Sequence, residues 1–272
     1  MTTPSTADTA VLMLRLAGPL QAWGESSRFN RRDTRPEPTK SGVIGLLAAA
    51  LGRPRDADVS DLAALTMGVR IDQPGSLARD YHTVSDYRGV PLKQAGVNAK
   101  GHQKPTSPPK NTHITVRYYL QDASFLVALA GPTTLIQTLS HALRRPAFPL
   151  ALGRRSCPPT QPIHLGVRET DLLDALATQP WIASGATREE FRRRGRTPIF
   201  IDLGVTLDDP HGGEVRNDAP VSFDARARRF AERRVRHLSI RIPTGFDEPD
   251  SPETAEPDTT DVGHDPFALL GW

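Results

Sequence analysis

Three groups of residues carry side chains suited to handling a phosphodiester. The first is the run Leu152-Gly153-Arg154-Arg155-Ser156-Cys157-Pro158. Its glycine lets backbone approach a ligand closely, while two guanidinium groups and a hydroxyl offer donors to phosphate oxygens. The same run also reads as a surface turn with solvated arginines. The second is the basic stretch holding Arg28, Arg31, Arg32, Arg35 and Lys40, which leads into a helix starting near Ser41. Helix N-termini expose N–H groups and partial positive charge, so Lys40-Ser41-Gly42 forms either a phosphate seat or a plain helix cap. The third is Asp80-Tyr81-His82 beside a lysine-rich segment. A Tyr, a His and a Lys can together cut RNA without metal: one group takes the 2′-OH proton, one protonates the leaving 5′-oxygen, and a cation stabilises the phosphorane. Equally, these residues form a strand end whose rings pack or stack and do no chemistry.

Other chemistries lack their residues. The Gly-x-x-x-x-Gly-Lys-Ser/Thr pattern of nucleotide hydrolysis is absent, as are Gly-x-Ser-x-Gly and a glycine-rich dinucleotide fingerprint. The eight histidines show no His-x-x-x-His spacing and Cys157 is the single cysteine, which predicts no metal site, no disulfide and a reducing, cytoplasmic setting. Met1 to Thr9 lacks the basic-then-apolar pattern of a secretory signal, and no apolar run approaches the roughly 18 residues of a membrane span.

The elements that must position these residues follow from periodicity. Leu12, Leu14 and Leu16 alternate with Arg15 and predict a strand over residues 11 to 17, stopped by Gly18-Pro19. Val43, Ile44, Leu47, Ala48 and Leu51 lie at helical spacing after a hydroxyl cap at Thr39 to Ser41, and Gly52 and Pro54 end that helix. A short helix over Ser60 to Thr66 precedes a strand in which Val69 and Ile71 alternate with Arg70 and Asp72. Residues 86 to 112 hold four of the chain's five lysines (Lys93, Lys100, Lys104, Lys110) with three glycines and four prolines, a long cationic insertion. Strands resume on either side of Gln121-Asp122, with Ile114, Val116, Tyr118 and Leu120 on one face of the first and Phe125, Val127 and Leu129 on one face of the second. A helix carrying Leu135, Ile136, Leu139 and Leu143 starts with Pro132 in its first turn, and a short apolar segment spans Phe148 to Leu152.

That order predicts an α+β, ferredoxin-like βαββαβ domain, with two helices on one sheet face and the other face open to a partner, as in RNA-recognition modules. The expected division is a ferredoxin-like domain over residues 1 to 160, a smaller, irregular β-rich part over 161 to 242, and an acidic tail over 243 to 272. In the second part Ile163 to Val167 and Ile199 to Val205 read as strands, Thr170 to Ala177 as a short helix, and Ala225 to Arg236 as helix or irregular.

Charge is unevenly divided. The net +3 conceals a tail from residue 243 with eight acids and no Lys or Arg, so 34 cations against the remaining 23 acids leave +11 on the body. A basic body suits a polyanionic partner, because clustered cations displace counterions from phosphates.

Several runs in order carry a family resemblance: Leu14-Arg15-Leu16-Ala17-Gly18-Pro19-Leu20-Gln21-Ala22-Trp23-Gly24, Pro38-Thr39-Lys40-Ser41-Gly42 with Gly45-Leu46-Leu47, Asp80-Tyr81-His82-Thr83-Val84, Tyr119-Leu120 with Asp122-Ala123-Ser124-Phe125, and Leu152 to Pro158. From about Val11 to Gly166 the chain resembles the CasD family, the subunit of type I-E Cascade that holds the 5′ handle of CRISPR RNA. The Arg-rich stretch after Asp224 and the acidic tail depart from that pattern.

The resemblance implies a ferredoxin-like, RNA-recognition-type domain with a thumb-like insertion at about 86 to 112. It implies a non-catalytic place in an antiviral ribonucleoprotein complex with CRISPR RNA, the CasC backbone and the large CasA subunit, with target DNA met only through guide pairing. No cofactor is implied. Relatives of another subtype cut repeat RNA themselves, so a metal-independent endoribonuclease is the alternative. On this reading Gly153, Arg154, Arg155 and Ser156 grip handle phosphates or base edges, and Lys40 and Ser41 add contacts at the helix start. Gln21 and Trp23 touch a base or anchor the loop, Tyr81 and His82 stack on an unpaired base, and Lys93 and Lys104 lie on the insertion that kinks the guide at the handle–spacer junction.

Overall fold

The computed structural model describes residues 8–24, 30–86 and 111–246. Their chain order begins with three strands, β1 (Thr9–Ala17), β2 (Leu20–Gln21) and β3 (Arg31–Arg32), then helices α1 (Lys40–Ala50) and α2 (Ser60–Ala63). Strands β4 (Thr66–Gln73), β5 (Ser76–Asp86), β6 (Asn111–Gln121) and β7 (Ser124–Pro132) follow, then α3 (Thr133–Arg144) and β8 (His164–Arg168). Helices α4 (Leu172–Thr178) and α5 (Gly185–Arg193) precede the final strands β9 (Phe200–Asp208), β10 (Glu214–Ser222) and β11 (Arg229–Pro243).

All eleven described strands fall into two sheets. The larger sheet has seven strands in the order β10-β11-β9-β4-β7-β1-β8, every neighbouring pair antiparallel. The smaller is built on β6, whose one edge pairs with β5 along its length and whose other edge takes β2 and, in parallel, β3. Between β6 and β7 the chain changes sheets at Asp122, a non-glycine residue with φ of 52°, a left-handed conformation that Asp tolerates through its short polar side chain.

Alternation in the larger sheet sends side chains to two apolar layers. Leu12, Leu14, Leu16, Phe125, Val127 and Leu129 pack with α1 and α3, while Val11, Met13, Leu126 and Ala128 pack with Ala175 and Leu176 of α4. The open face expected over β1 and β7 is therefore covered by α4. Burial on both sides also explains why these strands read as near-continuous apolar runs. A third, small cluster joins Trp181, Leu203 and Ile242 with Phe191 and Phe246.

Arg70, expected on an outward face, is fully buried. Its guanidinium pairs with Asp72 at 2.7 Å and donates to the carbonyls of Gln179 and Pro180 at 2.7 and 2.8 Å, so it ties the chain after α4 to β4. Four other expectations are corrected. Phe148 to Leu152 forms no strand and Phe148 is exposed; the strand flanking β1 is β8. Residues 76 to 86 form an eleven-residue strand of the second sheet, and α5 and β10 are further elements. The Arg-rich stretch is no helix: residues 225–228 are irregular, as one of the two readings expected, but from Arg229 it is part of β11, where Arg233 turns inward between acids. Finally, Pro132 is the N-cap of α3 rather than part of its first turn.

Candidate nucleic-acid interface

The smaller sheet places the third group. In the β5–β6 ladder Arg79 lies opposite Tyr118, Tyr81 opposite Val116 and Thr83 opposite Ile114. Cross-strand partners share a face, so Leu77, Arg79, Tyr81, Val116 and Tyr118 form one surface. β3 extends it: Arg31 lies opposite Val116, with its guanidinium 5.0 Å from the Tyr118 ring centroid and 2.7 Å from Asp33. That carboxylate holds the Arg31 guanidinium above its usual proton affinity. Leu77, Tyr81 and Ile114 are respectively 63%, 60% and 45% exposed, unlike any strand residue facing the two large layers. An aromatic, apolar and cationic surface of this kind suits stacking on unpaired bases while guanidinium groups meet phosphates.

His82 lies on the opposite face, beside Asp80 at 3.8 Å. Consecutive strand residues point apart, so Tyr81 and His82 do not converge on one phosphodiester. This removes the geometry that acid–base cleavage by the pair requires.

The first group wraps around the edge of the same sheet. Gly153 adopts φ of 89° and sits so close to the Ala22 carbonyl that a Cβ would collide with it; glycine alone satisfies both conditions. Ala22 N–H donates to the Leu152 carbonyl at 3.1 Å, and Cys157 N–H to that of Arg154 at 2.9 Å. Arg154 turns inward: it donates to the carbonyls of Tyr118 at 3.0 Å and Arg32 at 2.9 Å and lies 4.6 Å from the Tyr119 ring centroid. It fastens β3 to β6. Arg155 and Ser156 are exposed at the tip of the turn.

Gln21 and Trp23 are fully buried beneath this turn. The Gln21 amide donates to the carbonyls of Leu16 and Ala123 at 3.0 and 2.7 Å and accepts from the Trp23 indole at 3.0 Å. The indole lies against Gly42, where any Cβ would approach it to 2.7 Å. Both residues thus anchor the loop.

The second group is placed differently. Thr39 caps α1 through the Gly42 N–H, but the Lys40 N–H donates to Asp218 at 2.8 Å and the Lys40 ammonium pairs with Asp208 at 2.9 Å. Lys40 and Ser41 are buried, and the anion at this helix start is the chain's own Asp218. Arg233 binds the same two acids, reaching Asp218 at 2.6 Å and also Asp208. Beside it, Arg216 pairs with Glu37 at 2.5 Å and Glu214 at 3.0 Å. Arg216 and His237 together hold the Glu214 carboxyl down at about 2.

Lys93 and Lys104 lie outside the described residues. Arg79 and Tyr118 were absent from the expected site, although Arg79 stands two positions before Tyr81, the spacing that shares a strand face, and Arg31, read with the basic stretch, joins this surface instead. Among the described residues no group of three or more His, Cys, Asp or Glu could hold a metal ion, and no helix is long and apolar enough to cross a membrane.

Residues 11–236 match the family described as CRISPR-associated protein (Cas_Cas5). Over 174 residues the chain is 42% identical to the CRISPR system Cascade subunit CasD of Escherichia coli (strain K12), covering 57% of this chain and 70% of that one. Two solved structures are also similar. One, titled CRISPR RNA-guided surveillance complex, matches at 32% identity and TM-score 0.66, over 86% of this chain and 91% of the other. The second, titled crystal structure of Cas protein, matches at 41% identity and TM-score 0.62, over 87% and 96%. The resemblance read from the ordered motifs is borne out: this chain belongs to the Cas5 family of CRISPR-associated proteins, among its CasD members.

Proposed function

We propose that this chain is a non-catalytic subunit of a Cascade complex that holds the 5′ handle of CRISPR RNA on the outer face of the smaller sheet. The observation that carries this reading is the exposed Arg79–Tyr81–Tyr118–Arg31 surface, at the base of the insertion that β5 and β6 bracket. In a chain of this family, unpaired handle bases stack on Tyr81 while Arg155 and Ser156 contact phosphates at the sheet edge. Gln21, Trp23, Gly153 and Arg154 shape that edge from within. Lys40 and Ser41 serve the site by fixing α1, His82 meets RNA only beyond the sheet's other face, and Lys93 and Lys104 carry the thumb that kinks the guide at the handle–spacer junction.

The order β8-β1-β7-β4, with α1 and α3 on one face, supports reading the core as ferredoxin-like. We further read residues 1–160 as carrying the RNA-binding surface, 161–242 as a β-rich part that completes the larger sheet through β8 on one edge and β9 to β11 on the other, and 243–272 as an acidic tail. CasC and CasA are the neighbours expected in the assembly, in the cytoplasm.

Binding of handle RNA to the full chain, read by fluorescence anisotropy, tests the reading. Changing Arg79→Ala with Tyr81→Ala weakens binding on the order of tenfold or more, from about 1–3 kcal/mol per stacked base plus a lost phosphate contact. Unchanged affinity would refute it. Specific cleavage of repeat RNA in chelator, abolished by His82→Ala, would instead establish the endoribonuclease.

A further inference from the structure

The β10–β11 hairpin carries a second concentration of arginine, and its two sides differ. Inward, Arg233 is held between Asp208 and Asp218, and Arg216 between Glu37 and Glu214. By contrast, Arg226, Arg228, Arg229 and Arg234 are exposed. Among the described residues none of these four pairs with a carboxylate; Arg234 donates to the Gly212 carbonyl at 3.0 Å, and Arg228 lies 5.2 Å from the Phe230 ring centroid. Other exposed arginines do take acidic partners, as in Arg31–Asp33 and Arg241–Asp202.

The tip is also held by hydrogen bonds and packing. Asp224 accepts from the Arg226 N–H at 2.7 Å, and Ser222 accepts from the Asp224 N–H at 3.2 Å. Phe223 packs against the core near Gly45, while Asp218 binds the α1 start at Lys40. The hairpin therefore runs along α1 from Lys40 toward Gly45.

From this we infer that the β10–β11 tip is a second nucleic-acid contact, in which Arg226, Arg228 and Arg229 bind phosphodiester backbone without reading sequence. The ring of Phe230 is covered by Arg228 and is not offered to a base. Clustered exposed guanidinium groups with Val221 as the one exposed large apolar residue beside them match a repeating polyanion better than a folded acidic protein, whose contact needs a desolvated core. The contact is independent of the handle site.

The test uses the full chain with two random-sequence probes, a 30-base-pair DNA duplex and a single-stranded RNA, titrated across a range of salt. Changing Arg226, Arg228 and Arg229 together to Ala should lower the slope of log affinity against log salt by about two to three on at least one probe. Loss on the duplex alone names DNA as the partner, loss on the RNA alone names RNA, and loss on both names backbone in general. The triple Arg→Lys variant should keep the slope, because a point charge suffices for phosphate. An unchanged slope on both probes, or loss in the Lys variant as well, overturns the inference. Arg79→Ala with Tyr81→Ala, assayed on handle RNA, reports separately on the smaller sheet.

Discussion

The two sheets share a chain turn at Asp122 but differ in what their faces meet. The larger sheet is apolar on both sides over β1 and β7, where Leu126 and Phe125 are both fully buried though they point in opposite directions. The smaller one has its Arg79–Tyr81 face in solvent. In the first, strand residues hold the fold; in the second, they are free for a ligand. Arginine follows the same division. Arg70 is completely enclosed with Asp72, whereas Arg155 stands at the tip of a turn.

The sharpest way to break this contrast is at Arg70. Changing Arg70→Met leaves Asp72 buried without its cation and three carbonyl contacts unfilled, so unfolding free energy in urea should drop by about 3–5 kcal/mol. A drop below about 1 kcal/mol would show that the larger sheet does not depend on this ion pair. Tyr81→Ala should do the reverse. It should cost about 1–3 kcal/mol in RNA binding while moving unfolding by no more than about 0.5 kcal/mol; a large loss of stability would make Tyr81 a packing residue.

The smallest effect concerns pH. Glu214 has its carboxyl lowered from 4.5 to about 2, first by its hydrogen bond from Arg216 and then by that from His237. A depressed carboxyl stabilises the fold above its unfolded value and loses that contribution as pH falls through the folded one. Stability should therefore decline between about pH 4.5 and 2 more steeply in the parent than in Glu214→Gln, as read by thermal denaturation. Parallel curves would mean the carboxyl contributes nothing through its charge.

Legibility followed the range of the interactions. β1, α1 and α3 were readable because their apolar residues repeat at 2 or 3.6 within one segment. Arg70 was misread because the carbonyls that enclose it come from Gln179 and Pro180, about a hundred positions away. Lys40 failed as a phosphate seat for the same reason: its acids, Asp208 and Asp218, arrive from the last strands. β11 was hidden by composition, since six arginines among Ala225 to Arg236 mask the alternation that makes it a strand. The turn at Gly153 was legible as a glycine-dependent close approach, but its target proved to be Ala22 rather than a ligand. β5 escaped notice because Leu77 and Tyr81 share one face with Arg79 while Ala78 meets the core from a face that also carries Asp80 and His82, so no apolar alternation marks the strand.

One feature of that ladder governs how the interface can vary. Asp86 and Asn111 are register partners at its open end, below ten further pairs. Whatever stands between them therefore has its two ends already brought together. Closing a loop of twice the length would add only about 0.6 kcal/mol, and a two-residue Asn-Gly turn would join the same strands. The segment between β5 and β6 is thus a replaceable part, whose length and charge can be changed without retuning the sheet beneath it.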